Sequence, residues 1–303
     1  MIPLISVALC TFNGAKYLRQ QLDSILNQTY ELLEVIIVDD CSIDDTRSII
    51  QQYARVDPRI NFFFNDTNLG FNKNFEKALL LASGNYIAIS DQDDIWDKEK
   101  LSILYNGIGD NWLAFSNSSY INEVGELTGK TLLENFNLSG KTFISFIEKN
   151  YVSGHTILFN RIFMEYILPF PAYGFYDWWM GYIAIYHNKL VYIDAILTLY
   201  RQHELSVIKQ IYNIDDARLM AISVLELRIE ELHALEEYKH LSKAEQSIIT
   251  DFKKALQSKR KGRFSVIYIK LICKHYCELF PERRFRRGLS KLNFAIKYAR
   301  SFK

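Results

Sequence analysis

The first ninety residues alternate between the hydrophobic periods of strands and helices, with short loops between the segments. This alternation predicts a mostly parallel, Rossmann-like α/β sheet with helices on both faces. Ser42 and Asp45 have capping-box spacing at the start of the second helix. The predicted strands are Leu4–Cys10, Glu34–Asp39, Ile60–Phe64 and a fourth that begins at Tyr86; the predicted helices are Lys16–Gln28, Asp44–Tyr53 and Asn72–Ala82.

Polar side chains follow three of these strands at the points where the strands end. Thr11 and Asn13 follow the first strand, Asp39 and Asp40 end the second, and an acidic run follows the fourth. Ligands of open α/β sheets bind outside the carboxyl ends of the strands. The sequence therefore predicts a polar crevice built from three separate segments.

The acidic run places Asp91, Asp93 and Asp94 within four positions. Carboxylates crowded at the end of a buried strand repel one another unless a cation or hydrogen-bond donors neutralise them. Hard oxygen ligands favour Mg²⁺ or Mn²⁺ over zinc. The alternative is a solvated acidic turn, because short motifs also occur by chance.

Composition indicates a cytoplasmic enzyme. The 303 residues, 49% of them hydrophobic, suffice for one large core and an appendage. There is no apolar window of roughly 18 residues that could span a bilayer, and no basic flank precedes the short apolar run at the N-terminus. The four cysteines lack metal-site spacing and are expected to be reduced.

The net charge of +1 conceals a basic C-terminal region. From Lys253 to Lys303 there are 16 Lys or Arg and 2 Glu, a net of +14, so residues 1–252 carry −13. Within this region Phe264–Cys277 is apolar and basic, which suits the surface of an anionic membrane. Peripheral attachment to the inner face of the cell membrane is thus one interpretation. A helical hairpin with a solvated basic face is equally consistent, and no nucleic-acid-binding module is recognisable.

Six segments in order resemble glycosyltransferase family 2: CTFNG, VDDCS, NLGFNKNFEKAL, SDQDD, YDWW and YRQH. The last two are most similar to rhamnosyltransferase-type bacterial members. The resemblance covers roughly residues 3–207, which implies a glycosyltransferase domain over 1–207 and a helical, basic region over 208–303. It implies the GT-A fold, a nucleotide-sugar donor, a divalent cation and inversion at the anomeric carbon by single displacement.

The resemblance also implies roles on the nucleotide side. Thr11 and Asn13 match a loop that packs against the nucleotide, and Asp39 or Asp40 matches the acid that accepts the pyrimidine N3 hydrogen. Local turn capping around Ser42 is the alternative for the two acids. Lys73 matches a basic residue near the base, although a lysine on a helix surface is the commoner explanation.

The metal and diphosphate site is implied in the same way. Asp91 and Asp93 match the carboxylates that bind the metal and the ribose, and His203 matches a histidine that completes the metal shell in some members. Arg201 could contact the diphosphate. A structural histidine is the alternative at position 203.

Asp177 matches the base that takes the proton of the acceptor hydroxyl. Its alternative role is a helix N-cap, because a helical stretch from Trp178 to Tyr186 follows it. Trp178 and Trp179 could stack on a pyranose ring or lie in the core. His155 stands where the family commonly has a small residue or cysteine, which leaves the acceptor open.

The preferred donor is dTDP-rhamnose, followed by a UDP-hexose, and the expected acceptor is a glycan or lipid-linked glycan of the cell surface. A metal-dependent phosphatase that uses Asp91 and Asp93 is an alternative, although its loop is expected near the N-terminus. An NAD-binding domain lacks support because the first turn holds only Gly14 of the three-glycine fingerprint. A non-catalytic scaffold that binds sugar nucleotides is the remaining alternative.

Overall fold

The computed structural model describes residues 2–203, 217–261, 265–283 and 286–300. The chain divides into two compact units. The first, here called the sheet unit, comprises Met1–Leu138, Tyr151–Phe170 and Tyr176–His203. The second, the helical unit, comprises Ser139–Asn150, Pro171–Phe175 and Glu204–Lys303. The boundary predicted between residues 207 and 208 lies outside the described residues.

The sheet unit contains a nine-stranded sheet in the order β3-β2-β1-β4-β8-β6-β9-β5, with β7 paired to β6. The first four strands of this order are mutually parallel, and the predicted α/β class is confirmed. The later pairs are mixed, since β8 is antiparallel to both β4 and β6 whereas β6 and β9 are parallel. The strands are β1 (Ile5–Thr11), β2 (Leu33–Asp39), β3 (Ile60–Phe64), β4 (Tyr86–Ser90), β5 (Ile95–Trp96), β6 (Leu113–Ile121), β7 (Leu127–Thr131), β8 (Ile157–Asn160) and β9 (Leu190–Arg201).

Helices connect the parallel strands as the alternating pattern predicts. The predicted capping box is wrong, because Asp45 caps the second helix without a side-chain hydrogen bond and the Ser42 hydroxyl donates to Asp39 instead. The helices of the sheet unit are α1 (Leu18–Leu26), α2 (Thr46–Val56), α3 (Phe71–Leu81), α4 (Lys100–Ile108), α6 (Met164–Ile167) and α7 (Tyr176–Tyr186), with 3₁₀ turns at Gly154–Thr156 and Arg161–Phe163.

The core and the strand register together fix the position of the crevice. Leu9, Ile37 and Ile89 are fully buried, and each such side chain contributes roughly 1.5–3 kcal/mol by leaving water. In the parallel register Thr11 lies beside Asp39, and Leu9 beside Ser90. The loops after β1, β2 and β4 therefore begin at one edge of the sheet.

The helical unit contains the largely buried carboxylate of Glu148, which several of its residues contact. Glu148 accepts hydrogen bonds from the hydroxyl groups of Tyr268 at 2.5 Å and Tyr298 at 3.1 Å, and Arg228 lies 4.0 Å away. Within the described ranges, no helix has the length and apolar character needed to cross a bilayer. The helices of this unit are α5 (Phe143–Glu148), α8 (Ala217–Glu236), α9 (Lys243–Arg260), α10 (Val266–Lys274), α11 (Tyr276–Leu279) and α12 (Gly288–Arg300).

Candidate active site

Asp39 is fully buried at the end of β2, and its carboxylate is saturated with donors. One oxygen accepts from the Thr11 hydroxyl at 2.9 Å and from the Ser42 hydroxyl. The other accepts from the Ser42 amide at 3.0 Å and from Arg47 Nε at 2.7 Å. A carboxylate offers about four acceptor positions, and protein groups occupy all of them here. Asp39 therefore fixes the loop geometry.

Asp40 faces the loop that precedes α3. Its Oδ1 accepts from the Asn65 side chain at 2.9 Å and the Leu69 amide at 2.7 Å. Among the described residues, Oδ2 accepts only from the Gly70 amide, at 2.9 Å. Because Oδ2 keeps a spare acceptor position, Asp40 can receive one further donor.

The loop after β1 is shaped by Asn13, which has a positive φ of 48°. Its side-chain oxygen accepts from the Ile43 amide at 2.9 Å, and its own amide donates to Ser42 Oγ at 2.8 Å. Asparagine tolerates this left-handed conformation because its short polar side chain bonds locally. Lys73 lies on α3, half exposed, and forms an ion pair with Glu76 at 2.9 Å.

Three carboxylates follow β4, as the sequence predicts. Asp93 has a histidine partner, whereas Asp91 is affected by two neighbouring carboxylates. Asp93 Oδ2 lies 2.7 Å from His203 Nε2, so two residues separated by 110 positions in the sequence meet here. Burial, followed by the charges of Asp93 and Asp177, raises the pKa of Asp91 to about 7. An excess of negative charge therefore surrounds Asp91.

Asp94, the last acid of the loop after β4, is fully buried. Its Oδ1 accepts from the Arg201 amide at 3.0 Å, and within the described part of the chain no group donates to Oδ2. Burial, and then the charges of Asp93 and Asp91, raise the pKa of Asp94 well above its usual value. Ligand atoms of Asp91, Asp94 and His155 lie within 4.8 Å of one another.

Lys100 lies close enough to Asp94 for its charge to oppose the rise in the Asp94 pKa. It is fully buried at the start of α4, and its Nζ donates to the His155 carbonyl at 2.5 Å and to Thr198 Oγ1 at 2.9 Å. The same ammonium lies 3.6 Å from the centre of the Trp96 ring. Burial lowers the pKa of Lys100, whereas the charges of Asp94 and Asp91 oppose that shift.

His155 is buried with both ring nitrogens engaged. Nδ1 lies 3.0 Å from Ser153 Oγ, Nε2 lies 3.0 Å from Ser118 Oγ, and the ring stacks on Tyr200 at 4.3 Å. Burial and then the Lys100 charge lower its pKa to about 3, so the imidazole is neutral at physiological pH. The departure from the family pattern at this position thus lies in the packed interior.

Arg201 is also buried and holds main-chain groups. Its Nε donates to the Asp93 carbonyl at 2.8 Å, one terminal nitrogen donates to the Glu123 carbonyl at 3.1 Å, and the other donates to Gln20 Oε1 at 2.7 Å. The guanidinium lies 4.7 Å from the Tyr17 ring, which also contacts the His203 ring at 5.0 Å. This placement supports a role for Arg201 in orienting the Asp93 loop and gives no support to a direct diphosphate contact.

Asp177 lies in the first turn of α7, one residue after its start. Its Oδ2 accepts from the Gly154 amide at 3.1 Å and its Oδ1 from the Trp178 amide at 2.6 Å. Trp178 and Trp179 are 5% and 7% exposed, and Trp179 donates to the Ile167 carbonyl at 3.0 Å. Their burial favours the core alternative over sugar stacking.

The residues present fit a divalent cation. Asp91, Asp93 and His203 offer carboxylate oxygens and an imidazole, and the raised pKa of Asp91 indicates charge that a cation would neutralise. His203 Nδ1 is buried, and no donor or acceptor among the described residues contacts it. The contact between Asp93 and His203 is a hydrogen bond that a shared cation would replace.

Sequence reasoning did not identify Lys100, Arg47 or Gln92 as parts of this site. Each lies at a position where an exposed polar side chain is the usual expectation, and periodicity does not distinguish a buried lysine from a surface one. Sequence position was the one available indication, since Gln92 lies between Asp91 and Asp93 and Lys100 follows a few residues later.

Comparison with known proteins gives a consistent result. Residues 6–168 match the family described as Glycosyl transferase family 2. The putative teichuronic acid biosynthesis glycosyltransferase TuaG of Bacillus subtilis is 40% identical over 118 residues, covering 39% of this chain and 47% of that protein. A GalNAc(5)-diNAcBac-PP-undecaprenol beta-1,3-glucosyltransferase of Campylobacter jejuni is 30% identical over 208 residues, covering 66% of this chain and 65% of that protein. The chain therefore spans about half to two thirds of the length of these relatives.

A solved structure shows the same fold. The mannosyltransferase PcManGT from Pyrobaculum calidifontis, in complex with GDP-Man and Mn²⁺, aligns with a TM-score of 0.58 at 16% identity, covering 99% of this chain and 86% of that one. The implied GT-A fold is confirmed.

Proposed function

We propose that this chain, which belongs to glycosyl transferase family 2, moves a sugar from dTDP-rhamnose or a UDP-hexose to a hydroxyl group of a cell-surface glycan. The observation that carries the proposal is the contact of Asp93 with His203 in the loop after β4, where the charges of Asp93 and Asp177 also raise the pKa of Asp91. The two related proteins named above bear the names of glycosyltransferases, and no comparison supports the phosphatase alternative.

On the donor side, we assign the reading of the base to Asp40. Asp39 has four protein donors and no free acceptor position, whereas Asp40 Oδ2 has one donor. An imide N–H of uracil or thymine is a single donor that such an oxygen can receive. Thr11 and Asn13 support this loop through Asp39 and Ser42, and Lys73 stays a candidate for the edge of the base.

The proposed leaving group is a nucleoside diphosphate. Asp93, His203 and Asp91 would hold Mn²⁺ or Mg²⁺, which when bound supplies charge stabilisation to the departing diphosphate. Arg201 keeps the Asp93 carbonyl in place, and Lys100 balances the buried Asp94.

Asp177 is the proposed base of an inverting displacement. Two amides, of Gly154 and Trp178, orient its carboxylate, and the residue is only partly buried. Gly154 lies against Tyr176, since a Cβ at this position would come within 2.1 Å of the Tyr176 hydroxyl. An acceptor hydroxyl within hydrogen-bond reach would transfer its proton to Asp177 as the new glycosidic bond forms.

The test compares Asp177→Asn with the wild type in two assays. Donor binding, followed by thermal shift with UDP or dTDP sugars and Mn²⁺, should stay within about twofold, because the base acts in the transition state. Transfer should fall by at least about 100-fold. Asp110→Asn, at an exposed turn acid, serves as the control that changes neither. Wild-type transfer by Asp177→Asn would contradict the assignment.

The acceptor and the location complete the proposal. A glycan on a lipid carrier would present its hydroxyl at the inner face of the membrane, and the basic C-terminal region could bind that anionic surface. Val266 and Leu289 of the helical unit are 55% and 79% exposed, which supports the proposed attachment. The cytoplasmic location, the attachment and the boundary between residues 207 and 208 stay predictions.

A further inference from the structure

Gln92, the residue between Asp91 and Asp93, bonds to the loop after β1. Its Oε1 accepts from the Phe12 amide at 2.8 Å, and its Nε2 donates to the Phe12 carbonyl at 3.0 Å. The side-chain amide of Gln92 is thus hydrogen-bonded to both the N–H and the carbonyl group of Phe12. Main-chain pairing of β1 with β4 ends at Leu9 and Ser90, and the Gln92 side chain continues the connection beyond that point.

Only an amide side chain can make this pair of bonds. Phe12 presents one donor and one acceptor, and the glutamine amide carries one acceptor oxygen and a donor nitrogen. A glutamate has no donor when ionised and would place an oxygen against the Phe12 carbonyl. It would also add a fourth carboxyl group to the loop.

Gly14 leaves the space that this amide occupies. A Cβ on Gly14 would lie 2.0 Å from Gln92 Oε1 and 2.4 Å from Gln92 Cδ. The three atoms nearest to that position all belong to the Gln92 side chain, so an added Cβ meets this flexible amide first. An alanine at position 14 would displace the flexible amide from Phe12 and leave the main chain in place.

The bonds between Gln92 and Phe12 connect the loop after β1 to the loop after β4. The loop after β1 is tied to the end of β2 through Thr11 and Asn13, and Gln92 belongs to the loop of Asp93 and its partner His203. We infer that Gln92 is a positioning residue that couples the nucleoside-binding loops to the metal-binding carboxylates. This inference rests on the proposed function, and Gln92 acts through the Phe12 main chain.

The test measures the coupling between two ligands of the full chain. Mn²⁺ affinity is titrated alone and with saturating UDP, and again with dTDP, by isothermal titration calorimetry. The ratio of the two affinities is the coupling factor, and it is reciprocal by linkage. Gln92→Met should reduce this factor roughly tenfold, the equivalent of about 1.4 kcal/mol, while Mn²⁺ affinity without nucleotide changes less than about twofold.

A double-mutant cycle separates the coupling from general loosening. Gly14→Ala should cause the same loss as Gln92→Met, and the double variant should lose no more than either single variant, because both remove the same contact. Gln52→Met is the matched control, since Gln52 is an exposed amide on α2 that bonds Arg19 and Ser48. It should leave the coupling factor unchanged.

Two results would overturn the inference: an unchanged coupling factor in Gln92→Met, or losses that add in the double variant. Gln92→Ala repeats the measurement with a second side chain, in case methionine finds a new contact. If wild-type chain binds neither UDP nor dTDP with Mn²⁺, the proposed function itself fails. The two failures are therefore distinguishable.

Discussion

Arg201→Lys tests whether a buried guanidinium orients the metal-binding loop. Arg201 is 1% exposed, and its three nitrogens donate in three directions, to Asp93, Glu123 and Gln20. Lysine keeps the positive charge but concentrates its donors on one nitrogen, so it cannot reproduce the planar fork. Arg201→Lys therefore removes the donor geometry of the guanidinium while it keeps the positive charge.

The magnitude follows from the contacts that are lost. One ammonium can reach one of the three acceptors well, which leaves about two charge-assisted hydrogen bonds unmade, each contributing roughly 1.5–3 kcal/mol. The Tyr17 contact weakens as well, by about 0.5–1 kcal/mol. We expect the free energy of unfolding of the sheet unit to fall by about 3.5–7 kcal/mol. Mn²⁺ affinity should fall at least about tenfold, the loss typical when an orienting partner of a ligand is removed.

Urea unfolding followed by tryptophan fluorescence measures the first quantity. All four tryptophans, at 96, 112, 178 and 179, lie in the sheet unit, so the signal reports on that unit alone. Arg59→Lys is the matched control, because Arg59 bonds the neighbouring Asp57 and is about one third exposed. Arg59→Lys should lower the free energy of unfolding by less than about 1 kcal/mol. An Arg201→Lys variant as stable as Arg59→Lys would refute the reasoning.

Three further outcomes are expected. Asp93→Asn should abolish Mn²⁺ binding and reduce transfer by at least about 100-fold with the fold retained, whereas full wild-type activity in excess EDTA would contradict a metal role. Burial alone would raise the pKa of Glu34, but hydrogen bonds from Ser6 and Ser83 outweigh it and lower that pKa, so its stabilisation is present above about pH 4.3 and is lost as pH falls further. The melting-temperature difference between wild type and Glu34→Gln should therefore shrink from pH 7 to pH 3, and a constant difference would count against it. Charge reversal at Lys291 and Lys297 should weaken sedimentation with anionic vesicles, since each basic residue near the surface contributes about 1 kcal/mol, and unchanged sedimentation at low salt would reject the membrane interpretation.

The first half of the sheet follows from the sequence because β1, β2 and β4 are buried almost throughout, whereas the edge strand β3 is largely exposed. Val7, Ile36 and Ile89 lie in uninterrupted apolar runs, and the helices between them keep helical spacing, so the element bounds agree within three residues. The second half is mixed and less readable. Leu190–Arg201 is one long strand with a largely half-buried pattern, and its parallel partner β6 lies far from it in sequence.

Side-chain roles were harder to predict than positions. The sequence correctly placed the acids at the strand ends, but it could not say that Asp39 is saturated by Thr11, Ser42 and Arg47. It could not assign Arg201 either, because a basic residue near a diphosphate motif and one bonded to main-chain carbonyls have the same local pattern. These outcomes depend on which distant segments the sheet brings together, and periodicity contains no such information.

The charges around the acidic loop help to choose between two candidate sets of ligands for one divalent cation. Asp94 is buried, and the charge of the buried Lys100 ammonium opposes the rise in the Asp94 pKa. A divalent cation bound by Asp91, Asp94 and His155 would lie close to that ammonium, and His155 already bonds Ser153 and Ser118 with its two nitrogens. Asp93, by contrast, has the His203 imidazole as its direct side-chain partner, at 2.7 Å. The effect of the Lys100 charge on Asp94, and the two engaged nitrogens of His155, therefore favour Asp93 and His203 as the proposed ligands of a divalent cation.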